Sequence, residues 1–267
     1  MSGINQSVVL NVCRLVARFA DDIGNHKAIS GSGFWLLDGN DDIYVTNKHN
    51  VDPTIVFGDD TDLKIDSLEI ELRLFQGNTP TSSTKFFEAI NVPQCIKSAP
   101  SADVAIIRNP TYKNQTIQYR HGRVLKVGDL ADQHFIEDKV QIMDVASFIG
   151  FPGKGMSRWW DQAWNLGIAR SVNIASLPGV PFTHSDIKTK DITLVSGLSF
   201  SGSSGSVVIL HEKSIKPGAG LVNPSYVPPK ILGIMSGHWP EPGTTPAMLS
   251  HSGLSYFTRS TSIVNLL

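Results

Sequence analysis

Cysteine is scarce in this sequence, and the charge is nearly balanced. Only Cys13 and Cys95 occur among 267 residues, so there is no disulfide framework and both thiols are expected to be free. The 23 basic and 24 acidic residues leave a formal net charge of −1. This balance excludes the broad basic field typical of nucleic-acid binding. No apolar run reaches the roughly 18 residues that a membrane span requires, so no membrane segment is predicted.

Motifs for metals and cofactors are also missing. None of the eight histidines forms an H-x-x-x-H pair, and no C-x-x-C occurs. A phosphate-binding G-x-x-x-x-G-K-[ST] loop and a G-x-S-x-G elbow are likewise absent from the sequence. We therefore expect neither a metal nor a cofactor. The N-terminal stretch lacks the basic start and apolar run of a secretory signal, from which we expect a soluble, cytoplasmic protein.

Strand signals recur along the chain, whereas helical periodicity is weak. Apolar residues alternate strictly with charged ones in SLEIELRLF (67–75), and DGNDD (38–42) between two apolar runs is typical of a hairpin. About a dozen such segments favour an all-β protein with two barrels or sandwiches. The clear helix candidate is TSIVNLL (261–267), with Ser260 or Thr261 as its cap. The polar segment 111–138 is the best candidate for the connection between two halves.

The run SFSGSSGSVVIL (199–210) offers serines as nucleophiles, at Ser201, Ser203, Ser204 and Ser206. A serine hydroxyl is inert at neutral pH unless a base removes its proton and a third group orients that base. His49, in YVTNKHNV, and Asp103, in SADVAII, could supply those groups. The aspartates between His49 and the connection compete with Asp103 for the orienting role: Asp59, Asp60, Asp62 and Asp66.

These segments together resemble the chymotrypsin-fold (trypsin-like) serine proteases. Within this family, the motifs most resemble those of bacterial trypsin-like peptidases related to the HtrA protease domain. The resemblance rests on five segments in order: GSGFWL with YVTNKHNV, SADVAII, GSSGSVV, ILGIMSGHW and LSYFTRSTSIVNLL. It implies two six-stranded antiparallel β-barrels with a short C-terminal helix. Residues 1–120 would form the barrel carrying the histidine and aspartate, and residues 121–267 the barrel carrying the serine and substrate pocket.

The resemblance also implies roles for individual residues. His49, Asp103 and Ser204 would form the catalytic triad of a serine endopeptidase, and the N–H groups of Gly202 and Ser204 the oxyanion hole. Ser236, Gly237 and His238 would pair with an extended protein or peptide substrate. Leu198 would form the base of the side-chain pocket and favour an apolar side chain, while Gly253 would line its far wall.

One departure concerns activation. Ser203 stands where secreted trypsin-like enzymes carry an aspartate, so ordering of the oxyanion loop by that aspartate is ruled out here. Either the loop is already ordered or another element orders it. Three functions stay open at this point: an active protease of restricted specificity, a protease held latent until a regulatory partner binds, and an inactive protease-like module that binds peptides.

Overall fold

Two antiparallel sheets, one from each half of the chain, form most of the structure. The computed structural model describes residues 6–58, 62–76, 79–89, 94–113, 125–154, 157–185, 187, 189–218, 222–241 and 250–267. The first sheet contains β1 (Val12–Ala20), β2 (His26–Asp38), β3 (Asp41–Thr46), β4 (Lys64–Gln76), β5 (Thr79–Ala89), β6 (Ile96–Ser98) and β7 (Ala105–Arg108). Their order across the sheet is β5-β4-β1-β2-β3-β7-β6. Helix α1 (Pro53–Phe57) lies between β3 and β4.

The second half closes into a barrel. Helix α2 (Gln133–Lys139) precedes β8 (Val145–Gly150), β9 (Gly153–Lys154), β10 (Ser157–Arg158), β11 (Ile168–Ile174), β12 (Ile192–Ser196), β13 (Val207–Leu210), β14 (Ile231–Glu241), β15 (Ser250–Arg259) and α3 (Ser260–Val264). Six of these strands form the barrel, in the order β11-β12-β15-β14-β13-β8, and β9 pairs with β10 in a separate ribbon.

A hydrophobic core shared by the two sheets fixes the position of one against the other. Phe34 and Val45, from the first sheet, belong to the same buried cluster as Ile149, Val207 and Ile234, from the barrel. Burying such side chains contributes about 1.5–3 kcal/mol each. Residues of β3, β7 and β13 therefore pack in one buried cluster between the two sheets.

The alternation in β4 is confirmed, and it has a second consequence. Leu68 and Ile70 are fully buried, as the pattern predicts. Glu71 and Arg73, on the opposite face, are buried as well, and both are hydrogen-bonded to Asn165. The Asn165 amide donates to Glu71 Oε1 at 2.5 Å, and Arg73 Nη2 donates to the Asn165 carbonyl at 2.7 Å. Such buried charges are tolerated because each has a polar partner.

The all-β class and the C-terminal helix are confirmed. The first sheet has seven strands, one more than the six predicted, since the short β6 pairs with β7 at its edge. Arg259, rather than Ser260 or Thr261, is the N-cap residue of α3. Helices α1 and α2 and the polar strand β5 were not predicted; all of α2 except Lys139 lies in the segment interpreted as a connection. The proposed boundary between residues 120 and 121 lies outside the described residues.

Both cysteines are free, as expected. Burial, together with the nearby charge of Glu71, raises the pKa of the Cys13 thiol to about 12, so this residue is a neutral core side chain. Among the described residues, no helix has the length and apolar character needed to cross a bilayer.

The shared core predicts a large difference between two isoleucine truncations. Ile149→Ala should lower the free energy of unfolding by about 2–5 kcal/mol, because Ile149 is fully buried and its loss leaves a cavity. Ile23→Ala should change it by less than about 0.5 kcal/mol, because Ile23 is 87% exposed. Urea denaturation measures both. Equal effects of the two substitutions would contradict the shared core.

Candidate active site

His49 and Asp103 face each other at the ends of two paired strands. His49 lies in a single helical turn, Lys48–Asn50, after β3, and Asp103 lies two residues before β7. Because β3 and β7 pair with Thr46 opposite Ala105, these ends are neighbours. His49 Nδ1 is 2.8 Å from Asp103 Oδ2, and the His49 backbone N–H donates to Asp103 Oδ1 at 3.0 Å. Both carboxylate oxygens are therefore used to orient one histidine.

The protonation of His49 reflects two opposing effects. Burial of the imidazole lowers its pKa, but attraction to the Asp103 carboxylate and their hydrogen bond outweigh burial and raise the pKa above its ordinary value. With Nδ1 directed at Asp103, Nε2 is the nitrogen left for proton transfer. The pair is thus a base whose imidazolium form is stabilised by a fixed carboxylate.

Asn47 ties this pair to the barrel. Its Nδ2 donates to the Asp103 carbonyl at 2.8 Å and to Ser236 Oγ, on β14, at 2.9 Å. The Ser236 hydroxyl lies 2.7 Å from Thr258 Oγ1, on β15. One buried amide therefore joins the aspartate of the first sheet to two strands of the second.

The serine-rich run forms a tight loop between β12 and β13, shaped by two glycines. Gly202 has φ +88° and Gly205 has φ +90°, values that favour glycine. At either position a Cβ atom would collide with backbone, with the Phe151 carbonyl oxygen at 2.4 Å and the Ser32 carbonyl oxygen at 1.8 Å, respectively. The loop conformation thus requires both glycines.

Accessibility separates the four candidate serines. Ser203 and Ser206 are buried, at 1% and 0% exposure, whereas Ser204 is partly exposed. Ser203 and Ser204 both line a cavity, but the Ser203 side chain has almost no access to solvent. Ser201 is exposed and also lines that cavity, but it lies outside the tight turn between the two glycines. Ser204 is therefore the serine that combines access to solvent with a fixed backbone.

Strand β2 holds this loop in place through Ser32. Its N–H donates to the Ser204 carbonyl at 2.7 Å, and its Oγ donates to the Gly202 carbonyl at 2.7 Å. The same Oγ accepts the Phe151 N–H at 2.9 Å. We call these contacts the Ser32 clamp. The clamp fixes the loop of Ser204 against the sheet that carries His49.

The loop is ordered without an aspartate at position 203. Ser203 N–H donates to the Phe200 carbonyl at 2.9 Å, and Gly205 N–H to the Met235 carbonyl at 2.9 Å. In the described part of the chain, the N–H groups of Gly202 and Ser204 have no protein acceptor. They are thus available to an oxygen of a ligand.

No hydrogen bond joins Ser204 Oγ to His49 within the described ranges. Two cavities share Ser236 and Tyr256 as a common wall. One, of about 470 Å³, is lined by His49 and Asp103 among others, and the second, of about 240 Å³, by Ser204. Contacts between nucleophile and base are often long in unliganded sites and shorten when substrate binds.

The residues predicted to contact substrate divide into two groups. Ser236, Gly237 and His238 line the cavity beside Ser204, and on the side of β14 facing away from β15 no described strand pairs with them. Leu198 is 50% exposed and is not among the lining residues, while its carbonyl lies 3.4 Å from Arg170 Nη1. Gly253 lies beyond the cavity, where its carbonyl accepts the Gly197 N–H at 2.8 Å.

Several residues of the site were not predicted from the sequence. Ser199, Phe200 and Tyr256 line the Ser204 cavity. Their positions depend on the pairing of β14 with β15 and on the loop 197–203, which single-residue motifs do not reveal. The two asparagines flanking Lys48 and His49 in T-N-K-H-N were a usable signal, because polar side chains beside a catalytic base commonly support it.

The Ser32 clamp predicts that two glycines with the same backbone conformation will tolerate alanine differently. Gly24→Ala should cost only the strain of its φ of +90°, about 1–2 kcal/mol, because nothing lies within 4 Å of the new Cβ. Gly205→Ala should cost more than about 3 kcal/mol, or expel the loop, because its Cβ would overlap the Ser32 carbonyl. Urea denaturation measures both costs. Similar stabilities of the two variants would contradict the clamp.

The His49–Asp103 pair predicts a measurable pKa change. In Asp103→Asn the attraction is lost while burial remains, so the pKa of His49 should fall below its ordinary value. NMR titration of the His49 ring protons measures the change. In the unsubstituted protein, protonation of His49 stabilises the fold below the ordinary pKa, and this contribution is lost as pH rises through the raised value. An unchanged titration in Asp103→Asn would contradict the pairing.

Comparisons with known proteins support the fold. No protein-family model and no curated protein matches the sequence. A search of solved structures finds an HtrA-type protease, an AlgW variant with a decapeptide, at TM-score 0.51 and 12% identity; the match covers 95% of this chain and 61% of that one. The chain thus spans less than two thirds of that protease's length. At this identity the likeness is one of fold: the protein has the double β-barrel architecture of trypsin-like proteases.

Proposed function

We propose that the protein is a serine endopeptidase that works in the cytoplasm through His49, Asp103 and Ser204. The observation that carries the proposal is the double contact of Asp103 with His49, placed next to an accessible serine on a glycine-shaped loop. A carboxylate that fixes the tautomer of a histidine beside a serine is the arrangement that nucleophilic acyl transfer requires.

In the proposed reaction, Ser204 Oγ attacks the carbonyl carbon of a peptide bond while His49 Nε2 takes its proton. The tetrahedral intermediate collapses when His49 returns that proton to the leaving amine, which departs as the C-terminal fragment. Water, deprotonated by His49, then attacks the acyl-enzyme and releases the second fragment and Ser204. Asp103 stays ionised and stabilises the imidazolium in both halves.

Two further features suit this reaction. The N–H groups of Gly202 and Ser204, which lack protein acceptors in the described structure, would bind the oxyanion. The unpaired side of β14 at Ser236–His238 would pair with the extended backbone of a protein or peptide substrate. The HtrA-type protease that shares the fold was solved with a decapeptide, which is in keeping with a peptide ligand here.

A second candidate, a peptide-binding module without activity, is favoured by one observation: the Ser204 hydroxyl does not reach His49 among the described contacts. A latent enzyme is intermediate between the two, because a regulatory partner could bring these groups together. The Ser203 hydroxyl is buried and has no hydrogen-bond partner in the described structure. A serine at this position also cannot form the ion pair that an aspartate forms in secreted trypsin-like enzymes.

A fluorophosphonate probe, which reacts with activated serines, separates these functions. The purified protein should be labelled, and Ser204→Ala should lose both labelling and peptide hydrolysis, the latter by at least about 10⁴-fold. Ser203→Ala is the matched control and should keep both, because Ser203 is buried. Labelling only after addition of cell extract would indicate latency. A folded protein that stays unlabelled in every condition would contradict the proposal and favour the binding module.

A further inference from the structure

Two histidines lie face to face beside the cavity that contains Ser204. His238, on β14, lines this cavity, and its ring is stacked on that of His251, on β15. The ring centroids are 4.7 Å apart and the planes are inclined by 21°. The antiparallel pairing of β14 with β15 places both rings on the same face of the hairpin.

The surroundings of His251 favour its neutral form. The Gly253 N–H is directed at Nδ1 from 2.9 Å and the Ser199 N–H at Nε2 from 3.2 Å, with Ser255 Oγ 3.3 Å from Nε2. A neutral imidazole has one lone pair to accept one of these N–H groups, whereas an imidazolium accepts neither. Burial and the neighbouring His238 both lower the pKa of His251.

His238 is free to bind a ligand. Its ring is exposed, and no described residue forms a hydrogen bond with its nitrogens. Burial lowers its pKa, so in the unliganded protein it is readily deprotonated near neutral pH. A negative charge brought against the ring would reverse this tendency and favour the imidazolium.

The residues around the two histidines favour binding of an anion at this end of the cavity. The Arg170 guanidinium, on β11, lies 4.6 Å from the centre of the Phe200 ring, which in turn lies 6.3 Å from His251. Tyr256 has its pKa raised by burial and by Asp103, so it stays neutral. Asp103 contacts His49 on the far side of Tyr256, and none of the residues lining the Ser204 cavity is acidic.

We propose that His238, supported by His251, selects substrates with an acidic side chain, glutamate or aspartate, immediately before the cleaved bond. This inference rests on the proposed protease function and names its substrate class. The carboxylate would accept a hydrogen bond from His238. The stacked ring of His251 would keep the His238 ring oriented for that bond. The apolar selectivity expected from Leu198 has no counterpart in the lining of this cavity.

The proposal predicts a characteristic pH dependence. For matched peptides with Glu, Gln or Leu before the cut, the ratio of kcat/KM for Glu over Gln should fall as pH rises, by up to tenfold per unit above the pKa of free His238. The ratio cancels the titration of His49, which affects every substrate equally. His251 is stacked on His238, Tyr256 lines the same cavity, and Arg170 lies on the Phe200 ring next to His251. Of these three titratable groups, Arg170 and Tyr256 do not titrate between pH 5 and 8.

Three proteins and one probe test it. One sample each of the unsubstituted protein, His238→Gln and the control His134→Ala is tested for labelling by fluorophosphonate. A separate, untreated sample of each is given a proteome-derived peptide library and the three peptides. His134 is exposed on α2 and pairs with Asp138, away from the cavity. The unsubstituted protein and His134→Ala should cut after Glu or Asp, and His238→Gln should lose about 10- to 100-fold in the preference for Glu over Leu, with labelling retained.

Each other outcome overturns the inference in a distinguishable way. A protein that reacts with fluorophosphonate in one sample and, untreated, cuts after Leu, Val, Lys or Arg in another leaves the protease function standing and refutes the role of His238. Equal cleavage after Glu and Gln at every pH refutes recognition of charge. A folded protein that is neither labelled nor active refutes both the inference and the function on which it rests.

Discussion

The Ser32 clamp is the interaction on which the rest of the site depends. Ser32 holds the loop of Ser204 by backbone and side-chain hydrogen bonds, and it belongs to the sheet that carries His49. Its carbonyl, in turn, accepts the Thr46 hydroxyl at 2.8 Å, just before the turn that holds His49. His49 and Ser204 thus lie on two sheets, but contacts to Ser32 on β2 help to position the segments that carry both. The close approach is why Gly205 has no room for a side chain.

Around this clamp, apolar groups hold the two sheets together, and buried polar groups determine how the sheets are oriented against each other. The shared core brings the sheets together, yet apolar packing alone tolerates small shifts. Hydrogen bonds from Asn47 to Asp103 and Ser236 fix the registration of the two sheets at the site. A buried polar network of this kind is specific because leaving any member unpaired costs free energy.

Much of the fold, and part of the site, could be predicted from the sequence. Strict alternation in β4 and the motifs around His49, Asp103 and Ser204 each depend on residues that are neighbours in the sequence. Features of this kind can be predicted without the structure. The burial of Glu71 and Arg73 was not predictable, because their partners include Asn165, which lies 92 residues from Arg73 in the sequence. Nor was the stacking of His238 on His251, which depends on strand register. The role of Leu198 was inferred from its separation from Ser204 along the sequence. The position of Leu198 in space depends instead on the path of the loop between the two residues.

The division of the site between two sheets also orders events in time. His49 and Asp103 are separated by 54 residues and can meet once the first sheet forms, but the loop of Ser204 is held by Ser32 and, through the Gly205 N–H, by Met235 on β14, which is made later. Contacts of such long sequence separation form late because their loop entropy must be overcome first. Under the proposed function, a chain still being synthesised would therefore hold His49 and Asp103 together before Ser204 is in place, and the triad would be complete only after both sheets have formed.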